Sequence, residues 1–282
     1  MIIWLASYPK SGNTWIRSFL VSLLFTKDGG SDLSNLNLIG QFPLRSQFAN
    51  LVKDLSNVHE IKKKWVSAQE IINLDKKVRF FKTHHSMVSM DNFEFTNAQN
   101  TFGVIYIVRD PRNVISSIKN HYSLKTIEEA RDIMFHDDAW TGFEKNNKHV
   151  SDRKFPTLIS SWGYNYNSWK QVKKNYLLIK YENLINNPIS EFGKIVSYLE
   201  DKLKMNFNKD KVKKAINSNS FINLQQQEAE GKFKENMLDK NNNKIRFFDK
   251  GPKNNWKNQL DKKFSDEIEK RFNEELKELG YL

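Results

Sequence analysis

The sequence predicts an α/β fold, a single domain over residues 1–282 with a central parallel sheet flanked by helices. Three observations predict it. Apolar, β-rich runs at residues 2–7, 102–108 and 176–180 read as strands, and Phe102 to Val108 is continuous, as in a strand buried on both faces. A helical pattern follows each of them. The chain of 282 residues, 39% hydrophobic, can fill one large core and shows neither an internal repeat nor a clear second domain.

Residues 2–7 form the first strand and 14–26 its helix; Asp28-Gly29-Gly30-Ser31-Asp32 is a loop. Residues 41–75 read as helical pieces. Val78 to Lys82 is a strand ending at Thr83-His84-His85. After the 102–108 strand, Asp110 is a good helix cap and Pro111 suits the first turn of a helix reaching about Tyr122. Thr126 and Glu129 form a capping-box pattern for another helix. Leu158 to Lys174 reads as a helix with a stripe of Trp162, Tyr166 and Trp169. The strand at 176–180 precedes a helix from Ile189 to Leu199. Residues 226–257 are polar and irregular, and a charged helix closes the chain at 262–279. In parallel α/β sheets, ligands lie beyond the carboxyl ends of the strands. The 8–14 loop, His84, Arg109 and Tyr181 all follow strands, so they are expected to converge.

Composition narrows the function classes. There is no cysteine, which excludes disulfides, thiolate catalysis and cysteine-ligated zinc. The longest apolar helical stretch, Trp15 to Phe25, is interrupted by Arg17 and is too short to span a bilayer. Tyr8-Pro9-Lys10 follows too soon for a signal peptide. The expectation is a cytoplasmic protein. A net charge of +12 suits nucleic acid, an anionic membrane or a polyanionic small molecule. No arginine-rich helix or aromatic-basic repeat supports nucleic acid.

The loop after the first strand carries the chemistry. Tyr8-Pro9 breaks the strand and a helix restarts near Thr14, so backbone N–H groups and the positive end of the helix dipole aim at one point. Lys10, Ser11, Asn13 and Thr14 add side-chain donors, and the expected occupant is a phosphate. Against the nucleoside-triphosphate loop, Gly-x4-Gly-Lys-Ser/Thr, Ser7 replaces the first glycine, Gly12 and Thr14 fit, and Asn13 replaces the lysine. The loop is therefore P-loop-like with its cation, Lys10, on another side. A kinase needs the missing lysine and a metal site. Arg109 closes its strand, and Ser116 and Ser117 lie about two turns into the next helix. Arginine offers a fork for a second phosphate, to which a serine hydroxyl can also donate. Two phosphate sites imply a ligand with two separated phosphates. A structural Arg109–Asp110 ion pair is the alternative.

Tyr8-Pro9-Lys10-Ser11-Gly12-Asn13-Thr14-Trp15 resembles the 5′-phosphosulfate loop of sulfotransferases that use 3′-phosphoadenosine 5′-phosphosulfate (PAPS). Val108-Arg109-Asp110-Pro111-Arg112-Asn113-Val114 with Ser117 resembles their 3′-phosphate motif. Phe81-Lys82-Thr83-His84 resembles the strand end that carries their catalytic histidine. Trp162 through Trp169, Tyr181-Glu182-Asn183-Leu184 with Asn187-Pro188, and Lys250-Gly251 with Trp256-Lys257 resemble later segments. The matches span residues 2 to about 258, in a style closest to bacterial members.

The resemblance implies a role for each residue. Lys10, Ser11, Gly12, Asn13 and Thr14 would hold the 5′-phosphosulfate. Trp15, Tyr181 and Phe221 would surround the adenine, with core packing as the alternative for Trp15 and Phe221. Arg109 and Ser117 would hold the 3′-phosphate, helped by Lys250 and the Gly251 backbone. The chain departs from the family at Asp249, where Arg is usual; Arg246 could substitute. His84 would be the general base, Lys10 would neutralise the leaving oxygen and Lys82 would steady the sulfonate. Lys82 and His84 share a face of the strand, whereas His85 faces the other way as a supporting or acceptor-contacting residue.

The resemblance implies PAPS as the donor, with no metal required. The acceptor would be a hydroxyl of a small molecule, sugar or lipid. Residues 27–60, 86–100, 136–156 and 226–250 are expected to line its pocket; Phe42, Phe48, Phe93 and Phe135 fit either apolar contact or core. The oligomeric state stays open. A P-loop kinase-like enzyme and a non-catalytic polyanion-binding protein remain the alternatives.

Overall fold

The computed structural model describes residues 1–142, 152, 154–236 and 244–282. The strands run in chain order as β1 (Ile2–Ser7), β2 (Gly40–Gln41), β3 (Arg79–Thr83), β4 (Ser89–Met90) and β5 (Phe93–Glu94). They continue as β6 (Thr101–Val108), β7 (Trp140–Thr141), β8 (Thr157–Leu158) and β9 (Tyr176–Lys180). A five-stranded sheet has the order β2-β3-β1-β6-β9, and β3 runs parallel to both β1 and β2. β1 is buried at every position, as its unbroken apolar run requires. In register, Leu5 faces Lys82 and Ala6 faces Thr83, which brings the ends of β1 and β3 level. β4–β5 and β7–β8 are antiparallel pairs of two residues each, too short for alternation to reveal them.

The chain divides into two compact units. One comprises Met1–Pro9, Ile39–Tyr106 and Met134–Leu178; the other comprises Lys10–Leu38, Ile107–Ile133 and Ile179–Leu282. The first unit is organised around Trp4, whose ring lies 5.6 Å from Phe42, 5.7 Å from Phe95 and 5.9 Å from Trp169. Phe48 stacks on Phe155 at 4.9 Å. Phe42 and Phe48 are therefore core residues and not acceptor contacts; burying each stabilises by about 1.5–3 kcal/mol. In the second unit the helix Asn13–Phe25 packs Phe19 on Phe192 of the helix Pro188–Leu203 at 4.2 Å.

Three expectations are corrected. The helix expected over 158–174 spans only Trp162–Trp169: Leu158 is in β8, and the Ser161 hydroxyl caps the helix by accepting from Tyr164 N–H. The final helix is two, Lys262–Arg271 and Asn273–Glu278, because buried Phe272 leaves helical geometry between them. A helix at Phe221–Ala229 enters the stretch expected to be irregular, started by a Ser220 cap. Among the described residues, no helix is long and apolar enough to cross a membrane.

Ser160 is held at φ 55, buried, with its Oγ lacking a hydrogen-bond partner. The left-handed region costs a residue with a Cβ roughly 1–2 kcal/mol. Replacing serine by glycine removes both penalties and adds chain entropy to the unfolded state worth about 0.4–1 kcal/mol. Ser160→Gly is expected to raise the thermal midpoint, with a net gain on the order of 1 kcal/mol. A lower midpoint would contradict this account.

Candidate active site

The candidate residues fall in both units, and each group is complete within its own unit. In the second unit Gly12 caps the helix Asn13–Phe25 at φ 104, and its carbonyl accepts from Trp15 N–H at 3.0 Å. A Cβ on Gly12 would lie 2.5 Å from Tyr181 Cδ2, so glycine is required both by conformation and by the Tyr181 ring. Lys10 also takes a left-handed conformation, φ 66. Such turns aim successive backbone N–H groups inward as an anion cradle. The Ser11 hydroxyl is fully buried and has no hydrogen-bond partner in the protein, as expected of a group that donates to a ligand. The donor set thus fits a phosphate or phosphosulfate.

Arg109 ties this loop to the second motif. Its Nη1 donates to the Lys10 carbonyl at 3.1 Å and meets Ser117 Oγ at 3.5 Å. The guanidinium lies 4.3 Å from the Tyr181 ring centroid. Asp110 does not pair with Arg109: it caps its helix and binds Arg112, which also contacts Glu269. Arg112 therefore takes the acid, and the Arg109 guanidinium turns to the loop. The Asp110 N–H donates to Glu182 at 3.0 Å, and the Tyr281 hydroxyl donates to the same carboxyl at 2.7 Å. Burial pushes the Glu182 carboxyl up in pKa, opposed by these hydrogen bonds.

Trp15, Tyr181 and Phe221 lie near one another. Trp15 meets Tyr181 at 5.8 Å and Phe221 at 6.5 Å, and its indole N–H donates to Asn219 O at 2.7 Å. Gly251 lies against Phe221, whose Cζ would be 2.2 Å from an added Cβ. The C-terminal segment docks beside the start of the helix Pro111–His121: Trp256 N–H donates to Asn113 Oδ1 at 2.8 Å, and Arg112 lies 4.1 Å from the Trp256 ring centroid. Lys250 is exposed and its ammonium bonds Gln259; Arg246 is exposed as well. Sequence reasoning missed Phe247, whose ring centroid is 3.7 Å from Lys10 Nζ. Its only sequence signal is proximity to Lys250-Gly251.

In the first unit, the level strand ends place His84 on Ser7. His84 Nδ1 lies 2.8 Å from the Ser7 carbonyl and 3.2 Å from its hydroxyl. A carbonyl only accepts, so Nδ1 carries the proton in the neutral ring and Nε2 is the basic nitrogen. Lys82 is half-buried on the same strand, in register with Leu5 and Gln41.

His85 corrects the expectation of an acceptor contact. It is 0% exposed, stacks on Phe95 at 4.1 Å and meets Trp65 edge-on at 4.8 Å. Alternation at the strand end turns it into the aromatic core. Burial pushes its imidazole down to about 3, against the hydrogen bond to the Ser86 carbonyl. The folded value lies below the unfolded one, so the unfolded chain takes the proton first. Stability present above pH 6.5 is lost as pH falls towards about 3, by up to about 1.4 kcal/mol per pH unit. His85→Leu is expected to flatten the stability–pH curve over that window in denaturant titrations; an unchanged slope would refute the assignment.

Among the segments expected to line the acceptor pocket, residues 143–151, 153 and 237–243 lie outside the described residues. The 86–100 segment borders a cavity of about 370 Å³ with Lys62, Lys63 and Val66 opposite Ser89, Asn92, Phe93 and Glu94. Among the described residues, no group of three or more His, Asp or Glu side chains gathers to hold a metal.

Comparison with known proteins identifies the family. The sulfotransferase domain family matches residues 2–280. The mouse sulfotransferase 1 family member D1 is 21% identical over 92% of this chain and 77% of its own length. The luciferin sulfotransferase of Photinus pyralis is 24% identical over 95% and 69%. Among solved structures, mouse sulfotransferase SULT7A1 complexed with PAP superposes with TM-score 0.60 at 19% identity, covering 97% of this chain and 84% of that one. A retinol dehydratase in complex with androsterone and inactive cofactor PAP gives 0.60 at 16%, covering 98% and 80%. The chain belongs to the sulfotransferase family, enzymes that move a sulfuryl group from PAPS.

Proposed function

We propose that this protein, as one sulfotransferase domain over residues 1–282, transfers the sulfuryl group of PAPS to a hydroxyl of a small molecule, sugar or lipid in the cytoplasm. The observation that carries the reading is Arg109, which bonds the carbonyl of Lys10 in the first anion loop while facing Ser117 of the second. One arginine linking two anion motifs suits a nucleotide with separated phosphates. Lys10, Ser11, Gly12, Asn13 and Thr14 take the 5′-phosphosulfate; Arg109 and Ser117 take the 3′-phosphate, with Lys250 and the Gly251 backbone beside them. Trp15, Tyr181 and Phe221 take the adenine.

Transfer is an in-line displacement at sulfur. The acceptor oxygen forms the new S–O bond as the bond to the 5′-phosphate oxygen breaks. His84 Nε2 takes the acceptor proton, Lys10 neutralises the charge left on the phosphate oxygen, and Lys82 steadies the sulfonate. Such catalysis is mostly positioning and charge stabilisation. The lysine and arginine partners do what a metal does in nucleotide kinases.

Thermal melts in EDTA test the donor site. Adenosine 3′,5′-bisphosphate is expected to raise the midpoint by mass action, and adenosine 5′-phosphate to do so far less. Equal shifts would remove the second phosphate site. Stabilisation by ATP only with magnesium restored would favour a kinase.

A further inference from the structure

One stretch of the first unit holds the backbone that follows β3. Ser86 N–H donates to Leu158 O at 2.7 Å, and Met87 N–H donates to Ser168 Oγ at 2.9 Å. Trp169 Nε1–H donates to His85 O at 2.9 Å, and Asn165 Nδ2–H donates to His84 O at 3.0 Å. Every residue from 84 to 87 is therefore tied to residues 158–169. Asn165 is the hub. It is 0% exposed, and its Nδ2 also lies 3.1 Å from Ser86 Oγ and 2.9 Å from Ile159 O.

A buried amide can sit either way round, and here the acceptor-only carbonyls of His84 and Ile159 decide, with the Tyr106 hydroxyl completing the set. The Tyr106 hydroxyl donates to Asn165 Oδ1 at 2.8 Å. Burial holds that hydroxyl in its protonated form, and the Tyr8 backbone N–H donates to the same oxygen. The two carbonyls only accept, so Nδ2 faces them, and Oδ1 is left to take the hydroxyl's one proton. Flipped, the amide would set oxygen against oxygen at two buried sites, at the full cost of leaving them unpaired.

We propose that Asn165, braced by Tyr106, is a positioning residue for sulfuryl transfer. It fixes the His84 carbonyl, and through that backbone the Nδ1–H contact with Ser7 that makes Nε2 the basic nitrogen. This rests on His84 as the general base.

The ring nitrogens of His84 can be read by ¹⁵N NMR on the intact protein, with no acceptor present. Wild type is expected to show the Nδ1–H tautomer. In Asn165→Ala and in Tyr106→Phe the ratio of Nδ1–H to Nε2–H is expected to fall by about three- to tenfold, the worth of one buried hydrogen bond. Affinity for adenosine 3′,5′-bisphosphate should stay within about twofold, which a general loss of folding would not allow. Tyr106→Phe keeps the aromatic core and decides the question if Asn165→Ala does not fold. An unchanged tautomer ratio in folded Tyr106→Phe overturns the positioning role and leaves the base reading intact. An Nε2–H tautomer in wild type overturns the base reading itself.

Discussion

Replacing His84 with alanine is expected to lower turnover by roughly 10²–10⁴, the usual contribution of a general base. Adenosine 3′,5′-bisphosphate should bind as in wild type. The asymmetry follows from where the side chain is held. His84 is fixed on Ser7 by its Nδ1, within the first unit, and every donor assigned to the two phosphates belongs to the second. His85→Ala is expected to lose stability and keep measurable turnover, because that ring is core. Turnover is measured as release of adenosine 3′,5′-bisphosphate from PAPS with a panel of phenolic, sugar and lipid hydroxyl acceptors. An active His84→Ala beside a folded, inactive His85→Ala would reverse the two roles.

Arg109→Ala is expected to weaken adenosine 3′,5′-bisphosphate binding by at least tenfold. A hydrogen bond to a charged group contributes about 1.5–3 kcal/mol, and every 1.4 kcal/mol is a factor of ten. The fork can supply two such bonds. The substitution also releases the Lys10 carbonyl and uncovers the Tyr181 ring that backs Gly12, so the 5′ side should loosen as well. Arg109→Lys keeps the charge without the fork and should fall between wild type and alanine. Calorimetry with the bisphosphate and with adenosine 5′-phosphate separates the effects: selectivity for the bisphosphate should collapse in Arg109→Ala. Retained selectivity would remove Arg109 from the 3′-phosphate site.

Much of this was legible in the linear sequence because the signals are local. A buried parallel strand is a continuous apolar run, so β1 and β6 read directly. The Asp110 cap, the N1 proline and the glycine at position 12 are short-range stereochemistry. The motifs at 8–15 and 109–117 carry the resemblance to the family, and each lies within one strand–loop–helix step. The net charge and the absence of cysteine needed no structure at all.

Other features depend on contacts between residues far apart in the chain, and only the tertiary structure decides those. Residues 84 and 85 are adjacent histidines. One sits on Ser7 and the other stacks on Phe95, a difference created by strand register and by the core behind it. Asp110 follows Arg109 and yet binds Arg112, because the helix turn and Glu269, 157 residues from Arg112, favour that pairing. The amide of Asn165 takes its direction from the His84 carbonyl, 81 residues away, and is braced by Tyr106, 59 residues away. Phe247 under Lys10 belongs to a segment whose local pattern is irregular. A sequence carries periodicity, caps and short motifs because these rest on neighbours along the chain. Which of two identical side chains enters the core, and which arginine pairs with Asp110, rests on neighbours in space.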